Sequence, residues 1–151
     1  LIFFNCSKIM PNVNFIWRLH PSLNFKYVIK KMNINSELPK NISFSKNEKL
    51  ENDMRLSQFA LYRGSAAIAP ALSYGIYPIY LAQKGEIEID PLYKLKFKNL
   101  KIYTPKQFQM LLYRFSNKSK SDRSKFKKKA FIFSKKFYSS FSEKEAIDTL
   151  R

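Results

Sequence analysis

The chain has 151 residues, carries 28 Lys+Arg against 11 Asp+Glu for a formal charge of +17, and is 45% hydrophobic and 16% aromatic. That much apolar side chain can build a core, which excludes wholesale disorder, and the length points to one domain. A single cysteine, Cys6, excludes a disulfide framework and a multi-cysteine zinc site, and Asn5, Arg18, Lys26 and Arg63 break up every apolar run short of a membrane span.

The chain starts at Leu1 rather than Met, and Leu1–Phe4 is too short for a signal-peptide core, so the expectation is the C-terminal part of a longer protein. Phe15 to Leu19 is aromatic and β-branched and reads as a strand ending at His20-Pro21. Phe25, Val28, Ile29 and Met32 have helical spacing and predict a helix over Phe25 to Met32. Glu37 to Lys40 reads as a loop and Asn41 to Ser45 as a strand. Asn47 is placed to cap a polar helix from Glu48 to Leu56.

The next unit is the clearest. Gln58 to Tyr62 reads as a strand, Arg63 to Ser65 as a turn, Ala66 to Tyr74 as a helix, Gly75 as its stop, and Ile76 to Leu81 as the next strand. Ser65 suits the N-cap of that helix, Gly75 suits its C-terminal stop, and Pro70 is expected to kink it or remove a hydrogen bond. Strand, helix and strand in so few residues make a βαβ unit, hence a parallel sheet. Beyond Pro91 the pattern turns helical: Pro105 to Phe115, a basic stretch around Arg123 to Tyr138, and a last helix from Ser142 to Leu150 with Glu145 at capping-box spacing. The fold class expected is α/β, a Rossmann-like parallel sheet with flanking helices over residues 1–115 and a basic helical C-terminal extension over 116–151.

The three glycines, Gly64, Gly75 and Gly85, fall within 22 residues of one another. Gly64 lies between a strand and a helix start, where a positive φ or close backbone approach to a ligand is wanted. The amides of Ser65, Ala66 and Ala67 would then face the C-terminal edge of a parallel sheet, which favours a phosphate, with Arg63 adding charge. A plain Ser N-cap beside a solvated Arg accounts for the same residues. The lone histidine, His20, is held extended by Pro21 at its strand's end, where its ring can bond or protonate a leaving phosphate. A lone histidine is more often structural, and with no companion it is a poor metal ligand.

Trp17-Arg-Leu-His-Pro21, Leu38-Pro-Lys-Asn-Ile42, Leu61-Tyr-Arg-Gly-Ser-Ala-Ala67, Ala71 to Gly75 and Tyr77-Pro-Ile-Tyr80 together resemble the C-terminal half of a GT-B glycosyltransferase. The pairing resembles the His-Pro motif and downstream Ser/Thr motif of bacterial sialyltransferase-like and surface-carbohydrate biosynthesis enzymes, His20 and Arg63 lying 43 positions apart. The resemblance covers about Phe15 to Tyr93. It implies that His20 and Pro21 answer to the first motif and Ser65 with Gly64 to the second, holding the donor's nucleotide and phosphate, with no metal and the nucleotide-sugar as co-substrate rather than cofactor. On that site His20 is expected to be catalytic, Arg18 and Arg63 to supply charge, and the Ala66 and Ala67 amides to complete the cradle. The resemblance further implies a glycan or lipid-linked acceptor, a cytoplasmic location or one peripheral to the inner membrane, and a missing N-terminal domain without which the fragment is inactive. Ala66 stands where a second hydroxyl is usual, and Pro70 is foreign to that helix.

Three features keep other readings open. Glu86, Glu88 and Asp90 alternate, which fits either bonds to ribose or sugar hydroxyls or an exposed polar face, the latter being favoured. Tyr62, Tyr80 and Tyr93 fit base stacking, although core packing suits at least two of them better. Arg114 to Lys136 holds ten Lys/Arg and one Asp, and fits a solvated helix face, then a patch for anionic membrane, then a nucleic-acid arm. Lys, Asn, Ile, Phe and Tyr are abundant together, as an AT-rich coding sequence dictates, so nucleic acid is disfavoured as partner. The competing function is nevertheless a non-enzymatic basic nucleic-acid-binding module.

Overall fold

The computed structural model describes residues 2–31, 38–93 and 100–137. Its strands all pair in parallel, because each connection between paired neighbours is a crossover long enough to carry a helix or an equivalent excursion. Strand β1 (Phe15–Trp17) pairs with β2 (Ile42–Phe44), Phe15 opposite Ile42. Strands β3 (Phe59–Tyr62), β4 (Tyr77–Leu81) and β5 (Lys101–Ile102) form a second sheet in that order. The expected parallel arrangement is therefore present, divided into two small sheets. Phe15 and Ile42 of the first pack in one core with Tyr77, Ile79 and Ile102 of the second, a mixed architecture compatible with the Rossmann-like α/β class.

Helix α1 (Ile2–Ile9), which the sequence reading passed over, buries Phe4, Cys6 and Ser7 against that core. Its end is held by Asn41, whose side-chain amide donates to the carbonyls of Ser7, Met10 and Val13 at 2.9–3.0 Å. A helix end leaves carbonyls without partners, and Asn41 supplies them at the point where the chain enters β2. Burial pushes the Cys6 thiol up to about 11, so it is a packing residue at neutral pH and not a nucleophile.

Helix α2 (Phe25–Lys31) forms where its periodicity predicts, yet buries no residue; Phe25 meets Phe44 edge-on. Helix α3 (Leu50–Leu56) begins later than Glu48, with Lys49 at the N-cap and no side-chain cap bond. Asn47 is drawn away because its amide donates to Asp53 Oδ1 at 2.6 Å, a charged acceptor that outcompetes a cap.

Helix α4 (Ile68–Ala71) continues as a 3-10 turn, Leu72–Tyr74, that Gly75 ends in the left-handed conformation at φ +71°. This corrects the expected helix over Ala66 to Tyr74 and its Ser65 N-cap: Ala67 stands at the N-cap, and no side chain caps it. Pro70 falls third in the helix, among the first N–H groups that have no intrahelical partner, so it costs no hydrogen bond there. Pro78, inside the central strand, is tolerated for a related reason. Tyr77 donates toward β3, whereas Tyr80 and Ala82 donate to Leu100 and Ile102 on the other side. The missing Pro78 N–H thus faces β5 before the β4–β5 ladder begins at Tyr80.

Helix α5 (Pro105–Ser116) starts on a capping box between Thr104 and Gln107 with Pro105 at the first position, one residue longer than predicted at its end. Among its described side chains, helix α6 (Lys120–Phe137) turns Phe126, Ala130, Phe133 and Ser134 inward, at helical spacing. Phe126 stacks on Tyr77 with centroids 3.8 Å apart, and Arg123 donates to the last-turn carbonyls of Phe115 and Ser116. Lys125, Lys128 and Lys129 stay exposed, so the described part of the basic extension packs back on the domain with its lysines in water. The predicted helix over Ser142 to Leu150 lies outside the described residues. Among the described residues, no helix is long and apolar enough to cross a membrane.

The Tyr77 hydroxyl is buried with no hydrogen-bond partner among the described residues. An unpaired buried hydroxyl costs about 1–3 kcal/mol, while its ring contacts survive truncation to Phe. Tyr77→Phe is expected to stabilise the protein by about 1 kcal/mol, read as a rise of roughly 2–4 °C in Tm by calorimetry; a fall in Tm would show that the hydroxyl is satisfied.

Candidate functional site

Two grooves open beyond the ends of parallel strands. At the end of β1, His20 and Leu23 close a turn through a 2.9 Å bond from the Leu23 N–H to the His20 carbonyl, with Pro21 at its second position. The Ser22 N–H donates to His20 Nδ1 at 3.2 Å, and Ser22 Oγ lies 2.7 Å from the same atom. A backbone N–H only donates, so Nδ1 accepts and the neutral ring carries its proton on Nε2. Nε2 has no partner among the described residues, and His20 is exposed. Beside it lies a groove of ≈ 500 Å³ walled by Trp17, Leu19, Leu23, Phe25 and Phe44.

Arg18 lines the same groove, but its guanidinium is engaged by this chain's own groups. Its guanidinium bonds Asp53 Oδ2 at 2.7 Å, Ser45 Oγ at 3.1 Å, and the carbonyls of Asn47 and Glu48 at 2.8 and 2.7 Å. Asp53 is 9% exposed and also accepts from Ser45 Oγ and Asn47 Nδ2, both at 2.6 Å. Burial alone would raise the Asp53 pKa, but the bonds from Ser45, Asn47 and Arg18, with the Arg18 charge, hold it below the usual carboxylate value. Arg18 therefore locks the ends of β1 and β2 to α3, and Pro21 with His20 follows directly from that lock.

At the end of β3, the chain turns through Gly64 at φ +66°, a conformation that L side chains rarely adopt. A Cβ there would also run into the Ile89 side chain, so the close approach that Gly64 permits is to the 86–90 segment. Ser65 and Ala66 are exposed, and the Ser65 side chain and the Ala66 and Ala67 amides make no hydrogen bond among the described residues. With only four residues, α4 carries too few aligned peptides to make much of a dipole at that turn.

The alternating carboxylates bond to this chain's own groups. Glu86 pairs with Arg63, which also donates to Gln83 Oε1 at 3.0 Å, and Glu88 pairs with Lys101 at 2.6 Å. Asp90 accepts from the Tyr62 hydroxyl at 2.7 Å and caps the Leu92 N–H at 2.9 Å. Burial, then that carboxylate, pushes the Tyr62 pKa far above its ordinary value. Tyr62 and Tyr80 are both buried, with rings 5.6 Å apart edge to face, so they pack the core and leave exposed Tyr93 as the accessible one of the three. Arg63, Gln83, Lys84, Glu86, Glu88 and Lys101 border a second groove of ≈ 320 Å³.

Of the residues expected to form the donor site, Arg18, His20 and Pro21 line the first groove and Arg63 the second, while Gly64, Ser65, Ala66 and Ala67 line neither. Lys101 and Tyr103 at the end of β5 were missed. Their signal was short: Leu100 and Ile102 alternate with Lys101 and Tyr103, a strand pattern inside a region read as helical. No group of three or more His, Cys, Asp or Glu among the described residues is arranged to hold a metal ion. The chain matches no protein-family model, no curated protein and no solved structure among those compared.

Proposed function

We propose that this chain is the donor-binding half of a GT-B glycosyltransferase, taking a nucleotide-sugar for bacterial surface polysaccharide or lipopolysaccharide synthesis. The observation that carries the reading is the exposed His20, in the turn three residues beyond parallel strand β1, its Nε2–H unpartnered among the described residues beside an aromatic-walled groove. That pairing suits a nucleotide: the apolar wall takes a base or sugar face, and the imidazole donates to a phosphate oxygen. Ser65, the Ala66 and Ala67 amides and Arg63 lie outside this groove, at the turn after β3, and supply donors and charge to a ligand that extends from the His20 groove to that turn. In the whole enzyme an acceptor hydroxyl attacks the anomeric carbon and gives its proton to a base of the acceptor-binding half, while the bond to the nucleotide phosphate breaks and the phosphate leaves with its electron pair. The Nε2–H of His20 stabilises that leaving charge by donating a hydrogen bond to the phosphate. Arg18 is a positioning residue here, acting through Asp53 on the loop that carries His20. The acceptor is a glycan or a lipid-linked glycan, and the exposed lysines of α6 suit work beside anionic lipid on the cytoplasmic side of the inner membrane.

Calorimetry with CMP, UDP, GDP and CMP-sialic acid tests this. One nucleotide is expected to bind saturably, and His20→Ala or Ser65→Ala to weaken it roughly tenfold or more, as loss of a bond to a charged group does. Absence of binding by all of them would sink the reading. The same α6 lysines favour a second reading, a nucleic-acid-binding module. RNA binding that collapses with rising salt and ignores His20→Ala would establish that one instead.

A further inference from the structure

The 85–90 segment lies across the end of the β3–β4–β5 sheet like a strap. Gly85, at φ +80° with open space around it, forms one end; Asp90, bonded to Tyr62, and buried Leu92 anchor the other. Between them Glu86 meets Arg63, Glu88 meets Lys101, the Ile89 N–H donates to the Tyr80 hydroxyl at 3.2 Å, and Ile89 sits on Gly64. Ile87 is left 87% exposed, so charge pairing rather than apolar burial orients the strap. Two carboxylates thus stand on two cations at a sheet edge that borders a groove.

We infer that the strap is an exchangeable plug, and that the Arg63–Lys101 edge beneath it takes a diphosphate group. Each phosphoryl of a diphosphate offers the anionic oxygens that one carboxylate now offers, and two cations match two phosphoryls better than one. The side chains of Glu86 and Glu88 are 43% and 51% exposed, and ion pairs that exposed are weak enough for a ligand to replace. Strap opening also uncovers the Gly64 turn and frees Arg63 for the role assigned to it above. The inference rests on that reading in its ligand class, and narrows the donor to a nucleoside diphosphate sugar.

The test is titration of inorganic pyrophosphate and inorganic phosphate into the wild-type chain and into the E86Q/E88Q variant, whose changes are on exposed side chains. The variant is expected to bind pyrophosphate roughly two- to thirty-fold tighter, the span that two exposed ion pairs imply, with a smaller gain for phosphate. Adding Arg63→Gln to the variant should remove the gain, and saturating pyrophosphate should speed hydrogen exchange at the wild-type Ile89 amide. No gain, a gain that survives Arg63→Gln, or an Ile89 amide unchanged at saturation would overturn the inference. A nucleotide that binds through Ser65 while E86Q/E88Q gains nothing would sink the strap and keep the donor reading. A pyrophosphate gain with no nucleotide bound would do the reverse.

Discussion

Asp53→Ala is expected to destabilise the protein by about 3 kcal/mol, the lower end of what removing one partner of a buried ion pair costs. The lower end applies because Arg18 keeps 26% of its side-chain surface in water. The variant would leave the Arg18 guanidinium without its counter-charge, and Ser45 Oγ and Asn47 Nδ2 without their shared acceptor. The loss should depend on pH in a defined sense. The folded-state pKa of Asp53 is depressed, so its stabilisation is fully present above the unfolded carboxylate value near ~3.9 and is lost as pH falls through the lower folded value. Urea denaturation should therefore show a constant gap between wild type and variant from about pH 5 to 8, narrowing in acid below about pH 4. A gap that widens in acid would mean that Asp53 is not the ionised centre of this cluster.

Gly64→Val is expected to cost about 2–3 kcal/mol, and Gly64→Ala about 1–2. Both place an L residue at φ +66°, where Cβ crowds the following carbonyl, and valine adds the stiffness of a β-branched side chain. The nearest obstacle, Ile89 Cδ1, is the far end of a flexible side chain and can swing aside at small cost. What it loses in doing so is its seat on the Gly64 turn. Thermal unfolding should show the larger drop for valine, and the Ile89 amide should exchange faster in both variants. Equal stability of wild type and the alanine variant would show that the turn relaxes to negative φ.

Helix α5 could be read from Pro105, Gln107 and the apolar spacing behind them, because a capping box and its periodicity lie within a few residues of one another. The β3–α4–β4 unit was legible for the same reason: Gly64 and Gly75 mark its two turns locally. Helix α2 was legible as a helix but not in its exposure, since periodicity shows that an apolar face exists and not whether anything covers it. The Ser65 cap failed because Pro70 and the Gly64 turn shifted the helix start to Ile68, a choice among neighbouring positions that each satisfy the same local rule.

The sequence by itself determined the parallel α/β character, a strand opening at Phe15 with His20 beyond its end, and the demand for glycine at position 64; the strand stops at Trp17, two residues short of the Leu19 expected. Each follows from chemistry within one or two turns of chain: a proline, a crossover length, a backbone angle. Tertiary structure alone decided that Arg18 serves Asp53, and that Glu86 and Glu88 rest on Arg63 and Lys101. Those partners are 13 to 35 residues apart in sequence. A charge names the sign of its partner and nothing about its position, so which carboxylate meets which cation is settled only once the sheets bring their ends together.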